Sequence, residues 1–213
     1  MCLITFLEAR EKFGTLDIDE NHFKNAWYWN EDGAGISFVD YNYSTKPIVK
    51  VYKNYNTFNK FIRVFRRLRE LNPKSKFLVH LRNASMGDLS KENCHPFWIH
   101  KNKLSMAHNG TMYKMNASKD KGESDSVKLA KFLSTLPEGF IHNSGYWFLL
   151  RNYIGANRLA FLDDENSIKM MGTGWIEAEK GLIFHSNDYF KKEIPVKVIS
   201  INQEKKEESC ADC

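Results

Sequence analysis

Cysteine stands at position 2 of this 213-residue chain, directly behind the initiator methionine. A small residue there permits removal of Met1, which would leave Cys2 as the amino terminus. One residue would then carry a thiol nucleophile and its own base, because a free α-amine titrates near ~7.7–8.0. Taken alone, Cys2 is as well described as a small buried hydrophobe. Other residues with chemistry to offer follow it. Arg82 ends the apolar run Phe77–Leu81, and alone it is as readily a surface ion-pair partner. Asn109-Gly110 is also a strong short-range signal for a tight hairpin turn. Asp125 could cap a helix, and Asp32-Gly33 could be an ordinary turn. Cys94-His95, with His80 or His108, holds metal-ligating side chains, but the spacings match no common zinc pattern, so no metal is expected. His80 and His108 are expected to orient neighbouring groups or to pack in a sheet. Cys210 and Cys213 form a C-x-x-C in a polar tail, which specifies neither a zinc site nor a redox pair on its own.

The elements that must position these residues are short. Leu3–Phe6 is an apolar run that predicts a strand starting directly after Cys2. Asn30–Gly35 is a turn-rich loop, and Ile36–Tyr41 and Lys46–Tyr52 predict strands. Over Thr57–Leu71 the residues Phe58, Phe61, Ile62, Phe65, Leu68 and Leu71 recur at helical spacing, and Asn72-Pro73 stops the helix. Its Arg63, Arg66, Arg67 and Arg69 predict a solvated basic face rather than a phosphate or nucleic-acid site. Strands are predicted at Phe77–Leu81 and Leu104–Ala107, a second amphipathic helix at Ser124–Leu136 with Ser124 or Asp125 as its cap, and further strands at Tyr146–Tyr153, Leu159–Asp163, Lys169–Met171, Gly181–His185 and Val196–Ile201. Few, clustered helices among blocks of strands predict antiparallel sheets with helices layered on them rather than βαβ units.

Composition narrows the class. Hydrophobic residues make up 42% and aromatics 14%, enough for a sizeable core in one domain. The net charge of +5 is mild and does not point to nucleic acid. No basic leader and no run of ~20 apolar residues is present, so neither secretion nor a membrane span is expected. Four cysteines in a chain of this length do not make a secreted disulfide framework, and a reducing, cytoplasmic setting is expected. One domain over residues 1–202, with a polar tail at 203–213, is the expected organisation.

In order along the chain run Cys2, Asp32-Gly-Ala-Gly35, His80-Leu-Arg82-Asn-Ala-Ser-Met-Gly87, Asn93-Cys-His-Pro-Phe97, Ala107-His-Asn-Gly110 and Glu123-Ser-Asp125. This series resembles the class II glutamine amidotransferase domain, an N-terminal-nucleophile hydrolase, over roughly residues 2–190. The resemblance implies an α+β fold, a four-layer αββα sandwich of two antiparallel sheets. It implies Cys2 as the nucleophile with its own α-amine as base. It places the oxyanion donors at the Asn109 side chain and the Gly110 backbone N–H, where losing one donor typically costs ~10²–10³ in rate. It assigns the α-carboxylate of glutamine to Arg82, whose planar fork matches a carboxylate, and the α-ammonium to Asp125. His80, Asp32, Gly33 and His108 support the site. No cofactor is implied. The longer loop of the biosynthetic enzymes is replaced here by Asn30–Gly35, and no acceptor domain follows, so ammonia would pass to a separate synthetase or acceptor-domain protein. Two other activities fit the same residues: a γ-glutamyl peptide or amide hydrolase, and a non-catalytic relative used for binding or regulation, the latter if Met1 stays in place.

Overall fold

The computed structural model describes residues 2–14, 17–42, 46–115, 117–118 and 121–195. The Val196–Ile201 strand, the tail with Cys210 and Cys213, and Met1 lie outside these residues.

Among the described residues, ten strands form two antiparallel sheets. They are β1 (Leu3–Leu7), β2 (Ala34–Asp40), β3 (Ile48–Tyr55), β4 (Phe77–Leu81), β5 (Phe97–His100), β6 (Leu104–Asn109), β7 (Arg158–Asp163), β8 (Ile168–Met171), β9 (Ile176–Ala178) and β10 (Ile183–His185). The larger sheet runs β3-β2-β4-β1-β10-β9 and the smaller β5-β6-β7-β8. Four helices, α1 (Asn21–Trp29), α2 (Phe58–Leu71), α3 (Asp125–Leu133) and α4 (Ser144–Ile154), complete the fold among the described residues.

The period-2 alternation of each strand sorts its side chains between two interfaces. On β1, Leu3 and Leu7 pack with Phe77, Val79 and Leu81 of β4 against Phe23 of α1 and Phe61 and Phe65 of α2. The opposite faces, with Ile4 and Leu78, meet Ala107, Ala160 and Leu162 of the smaller sheet. The far face of that sheet, with Met106, Leu159 and Phe161, packs on Leu129 and Leu133 of α3 and Leu150 and Ile154 of α4. Three separate apolar cores thus stack four layers in the order α, β, β, α, as the resemblance implies. Burying a side chain such as Phe61 or Phe161 completely stabilises the fold by ~1.5–3 kcal/mol relative to leaving it in water.

The Thr57–Leu71 helix forms as its spacing predicts, with the Thr57 hydroxyl accepting from Lys60 N–H as N-cap. Its basic face is not uniform, however. Arg69 is buried, pairs with Asp17 at 2.7 Å, donates to Glu8 O and lies over the rings of Phe13 and Phe77. Arg66, by contrast, is exposed and pairs with Glu20. The predicted strand at Tyr146–Tyr153 is instead the helix α4. Asn143 caps it, accepting from the Gly145 and Tyr146 N–H groups. The outer side of α4 is itself apolar, with Phe148 and Leu149 exposed, and this erased the helical period. Helix α1, strand β5 and strand β9 had no counterpart in the sequence reading. No helix among the described residues is long and apolar enough to cross a membrane.

Candidate active site

The site forms where strand ends of both sheets meet the start of a helix. Leu3 pairs with Leu81, so Cys2 lies beside the chain just past the end of β4. Its Sγ accepts from Asn83 N–H at 3.4 Å and lies 3.3 Å from Asn83 O, and Asn187 Nδ2 donates to the Cys2 carbonyl at 2.7 Å. Alternation puts Cys2 on the same side of β1 as Ile4, and Arg82 on the same side of β4 as Leu78 and His80, facing the space between the sheets. Asn109, in step with Ala107, faces that space from the end of β6. Asn109 pairs with Arg158 across β7, so Asn109-Gly110 leaves the sheet as a strand end and not as a hairpin turn.

Burial pushes the Cys2 thiol above its ordinary range, opposed by the Asn83 N–H and by the Arg82 guanidinium; the Asp125 carboxylate adds to the rise. The resting group is therefore a thiol that needs a base. Arg82 is 3% exposed. Its Nη2 donates to Asp88 O at 2.7 Å, while no group among the described residues accepts from the buried Nη1. No carboxylate forms an ion pair with it among those residues. A buried guanidinium without a counter-ion is costly, and such a charge is suited to an anionic ligand. Asp125 is the first residue of α3, one past the Ser124 cap, and is buried. Its carboxylate accepts from the N–H groups of Met112 and Ser126. The Ser126 hydroxyl also lies 3.4 Å from Asp125 Oδ1, and a carboxylate with about four lone-pair directions still has room for a cation.

The supporting residues hold the backbone of these groups. Asp32 Oδ2 accepts from Ala84 N–H at 2.8 Å, and Arg82 N–H donates to Gly33 O at 2.7 Å, which fixes the turn carrying Arg82 and Asn83. Gly33 has φ 132°, and a Cβ there would come 2.9 Å from Cys94 Sγ. Gly110 has φ 141°, and a Cβ would overlap the side chain of Asn157. Both positions require glycine. His108 Nε2 lies 2.9 Å from Asn157 Oδ1, which only accepts, so that nitrogen carries the proton. His108 Nδ1 then accepts from the Ser126 hydroxyl at 2.7 Å. Two other imidazoles clamp the His108 backbone: its N–H donates to His95 Nδ1, and its carbonyl accepts from His80 Nε2. The sequence reading assigned no role to His95, Asn157, Ser186 or Asn187; only the motif around His95 offered a signal.

The class-II glutamine amidotransferases, as a family, match residues 24–136. The chain belongs to this family. The match includes Asp32, Gly33, His80, Arg82, His108, Asn109, Gly110 and Asp125; Cys2 precedes it, and Asn157, Ser186 and Asn187 follow it. A solved structure similar to this amidotransferase-family chain is a glutamine aminotransferase class-II domain protein from Silicibacter pomeroyi, with 14% identity, TM-score 0.41, and coverage of 86% of this chain and 87% of that one. Another is the allosteric regulatory enzyme of purine biosynthesis, with 16% identity, TM-score 0.42, and coverage of 77% of this chain but only 36% of that one. Curated protein sequences give no match. A cavity of about 590 Å³, lined by residues that include Tyr52, Lys53, Phe97 and Trp98, is not lined by Cys2, Arg82, Asn109 or Asp125.

Burial of four histidines is expected to make this amidotransferase-family fold acid-sensitive. It pushes the pKa of His80 and of His185 down to about 3, and it also lowers His95 and His108. In the unfolded chain a histidine takes up its proton near ~6.5. Their stabilisation is therefore complete above that pH and is lost as pH falls from there toward 3, because the unfolded state binds protons first. His80 and His185 alone are expected to remove ~2 kcal/mol each by pH 5. Urea unfolding at pH 7.5 and pH 5 reads this; equal midpoints would show that these rings protonate freely in the fold.

Proposed function

We propose that the protein hydrolyses the side-chain amide of L-glutamine and delivers ammonia to a separate acceptor enzyme. One observation supports the reading: among the described residues the buried Arg82 guanidinium has an unpaired Nη1 and no carboxylate within ion-pair distance, and its charge acts on the Cys2 thiol. With Arg82 on the α-carboxylate and Asp125 on the α-ammonium, a free amino acid is selected over a glutamine within a protein. Removal of Met1 frees the Cys2 amine, which takes the thiol proton. The sulfur attacks the amide carbon, and the oxyanion is received by Asn109 Nδ2 and Gly110 N–H. The carbon–nitrogen bond breaks, the amine returns the proton, and ammonia leaves. Water then cleaves the γ-glutamyl thioester, giving glutamate and regenerating the thiol. Cys2 and Cys94 are both free, which suits a reducing, cytoplasmic setting.

The test is ammonia release by Met1-processed protein from L-glutamine, beside cleavage of γ-glutamyl dipeptides. Release from glutamine is the expected result. Dipeptide cleavage without it would make the protein a γ-glutamyl hydrolase, and silence on both substrates would leave a non-catalytic relative.

A further inference from the structure

Ser186, one residue past the end of β10, joins the nucleophile strand to the candidate oxyanion donor. Its backbone N–H donates to Ile4 O at 2.9 Å. Its Oγ lies 2.8 Å from Ile4 N and 2.8 Å from the Asn109 side-chain amide, and it is fully buried. Counting protons separates two wirings of this cluster. The Ile4 N–H can only donate, so the hydroxyl accepts there and keeps one proton to give. With Asn109 Nδ2 turned toward Ser186, the hydroxyl meets two donors, and its own proton has no acceptor among the described residues. Asn109 Oδ1 is then buried without a partner. The two ends of an amide have nearly the same shape, and a half-turn exchanges them. After that turn the Ser186 O–H donates to Oδ1 and both are satisfied, while Nδ2 takes the buried position where no acceptor lies among the described residues, so both its hydrogens are left for a ligand.

We propose that Ser186 is a positioning residue for glutamine hydrolysis: its hydroxyl holds Asn109 Oδ1 and so aims Nδ2 at the oxyanion formed on Cys2. The inference rests on the glutaminase reading. It gives that reading a reason for Asn109 to present a donor and not a carbonyl oxygen, which would repel the developing negative charge. The same hydroxyl accepts from Ile4, two residues from Cys2, so donor and nucleophile keep a fixed relation. Asn187 secures the other side by donating to the Cys2 carbonyl.

Steady-state kinetics on processed wild type, Ser186→Ala, Asn109→Ala and the double variant test this. Ser186→Ala is expected to lower kcat ~10–100-fold with KM within ~3-fold, because a group that acts only in the transition state moves kcat. In the Asn109→Ala background, Ser186→Ala should cost less than ~2-fold more, since its effect passes through that amide. Glutamine binding by Cys2→Ala and by Cys2→Ala/Ser186→Ala should agree, which shows the site folded in both. Full activity of Ser186→Ala, a loss carried by KM or by glutamine binding, or full additivity in the double variant would overturn the proposal while leaving the glutaminase reading intact. A processed wild type that releases no ammonia from glutamine would overturn both.

Discussion

Arg82→Met is expected to raise KM for glutamine by ~10–100-fold and yet to leave the protein as stable as wild type or more so. The two effects have one cause. Arg82 holds its charge away from water with one short bond, to Asp88 O, a longer one to Met86 O at 3.4 Å, and Nη1 unpaired among the described residues. That arrangement costs the folded protein free energy, and replacing a buried charge by an apolar side chain of similar volume is commonly neutral or stabilising by ~1–4 kcal/mol. Asp88 O retains a partner in Asn93 Nδ2, so the substitution orphans no carbonyl there. Bound glutamine would offset the cost through a charge-assisted bond to its carboxylate, in a range of ~1.5–3 kcal/mol. Because that carboxylate does not react, the bond is equally strong in ground and transition states, and KM changes while kcat stays within a few-fold. Arg82→Lys should also raise KM, since an ammonium cannot make the paired contact. Thermal unfolding and glutamine kinetics on these variants give the answer; a large loss of stability with unchanged KM would make Arg82 a structural residue.

Cys2→Ala is expected to lower ammonia release by at least ~10⁴-fold, the scale seen when a hydrolase loses its nucleophile. Glutamine should still bind, because Arg82 and Asp125 remain. The raised pKa of the Cys2 thiol sharpens this expectation. A thiol pushed up by burial is mostly protonated at neutral pH, so the rate depends on the base beside it. The wild-type rate should rise with pH through the amine titration, near ~7.7–8.0. A variant that keeps Met1 should be as inactive as Cys2→Ala despite an intact thiol. Ammonia assays on the three proteins decide it, and equal rates would remove Cys2 from the mechanism.

How far the sequence foretold this arrangement depends on the range of each interaction. Local periodicity exposed the Thr57–Leu71 helix and the strands around Phe77–Leu81 and Leu159–Asp163, because alternating faces reach different cores. It failed at Tyr146–Tyr153. There Tyr, Trp and Phe favour strands, and the exposed Phe148 and Leu149 hid the helical face, although the Asn143 cap was present to be read. It also misplaced Arg69, whose burial depends on Phe13 and on Asp17, the latter 52 positions away in sequence. At the site, motif order pointed to Cys2, Arg82, Asn109, Gly110 and Asp125, and the fold sets all of them at one end of the sandwich. The residues that brace them were not legible. Ser186 meets Asn109 across 77 positions and Ile4 across 182, and Asn157 meets His108 across 49. No spacing rule links partners that only the packing of two sheets brings together.

The central claim is that a processed Cys2 attacks glutamine. Incubating the protein with a diazo-ketone analogue of glutamine and measuring intact mass and the modified peptide tests it most directly. Met1 is expected to be absent, with one adduct per chain on Cys2 and protection by excess L-glutamine. A retained Met1, or an unlabelled Cys2 in protein that has lost Met1, would contradict it.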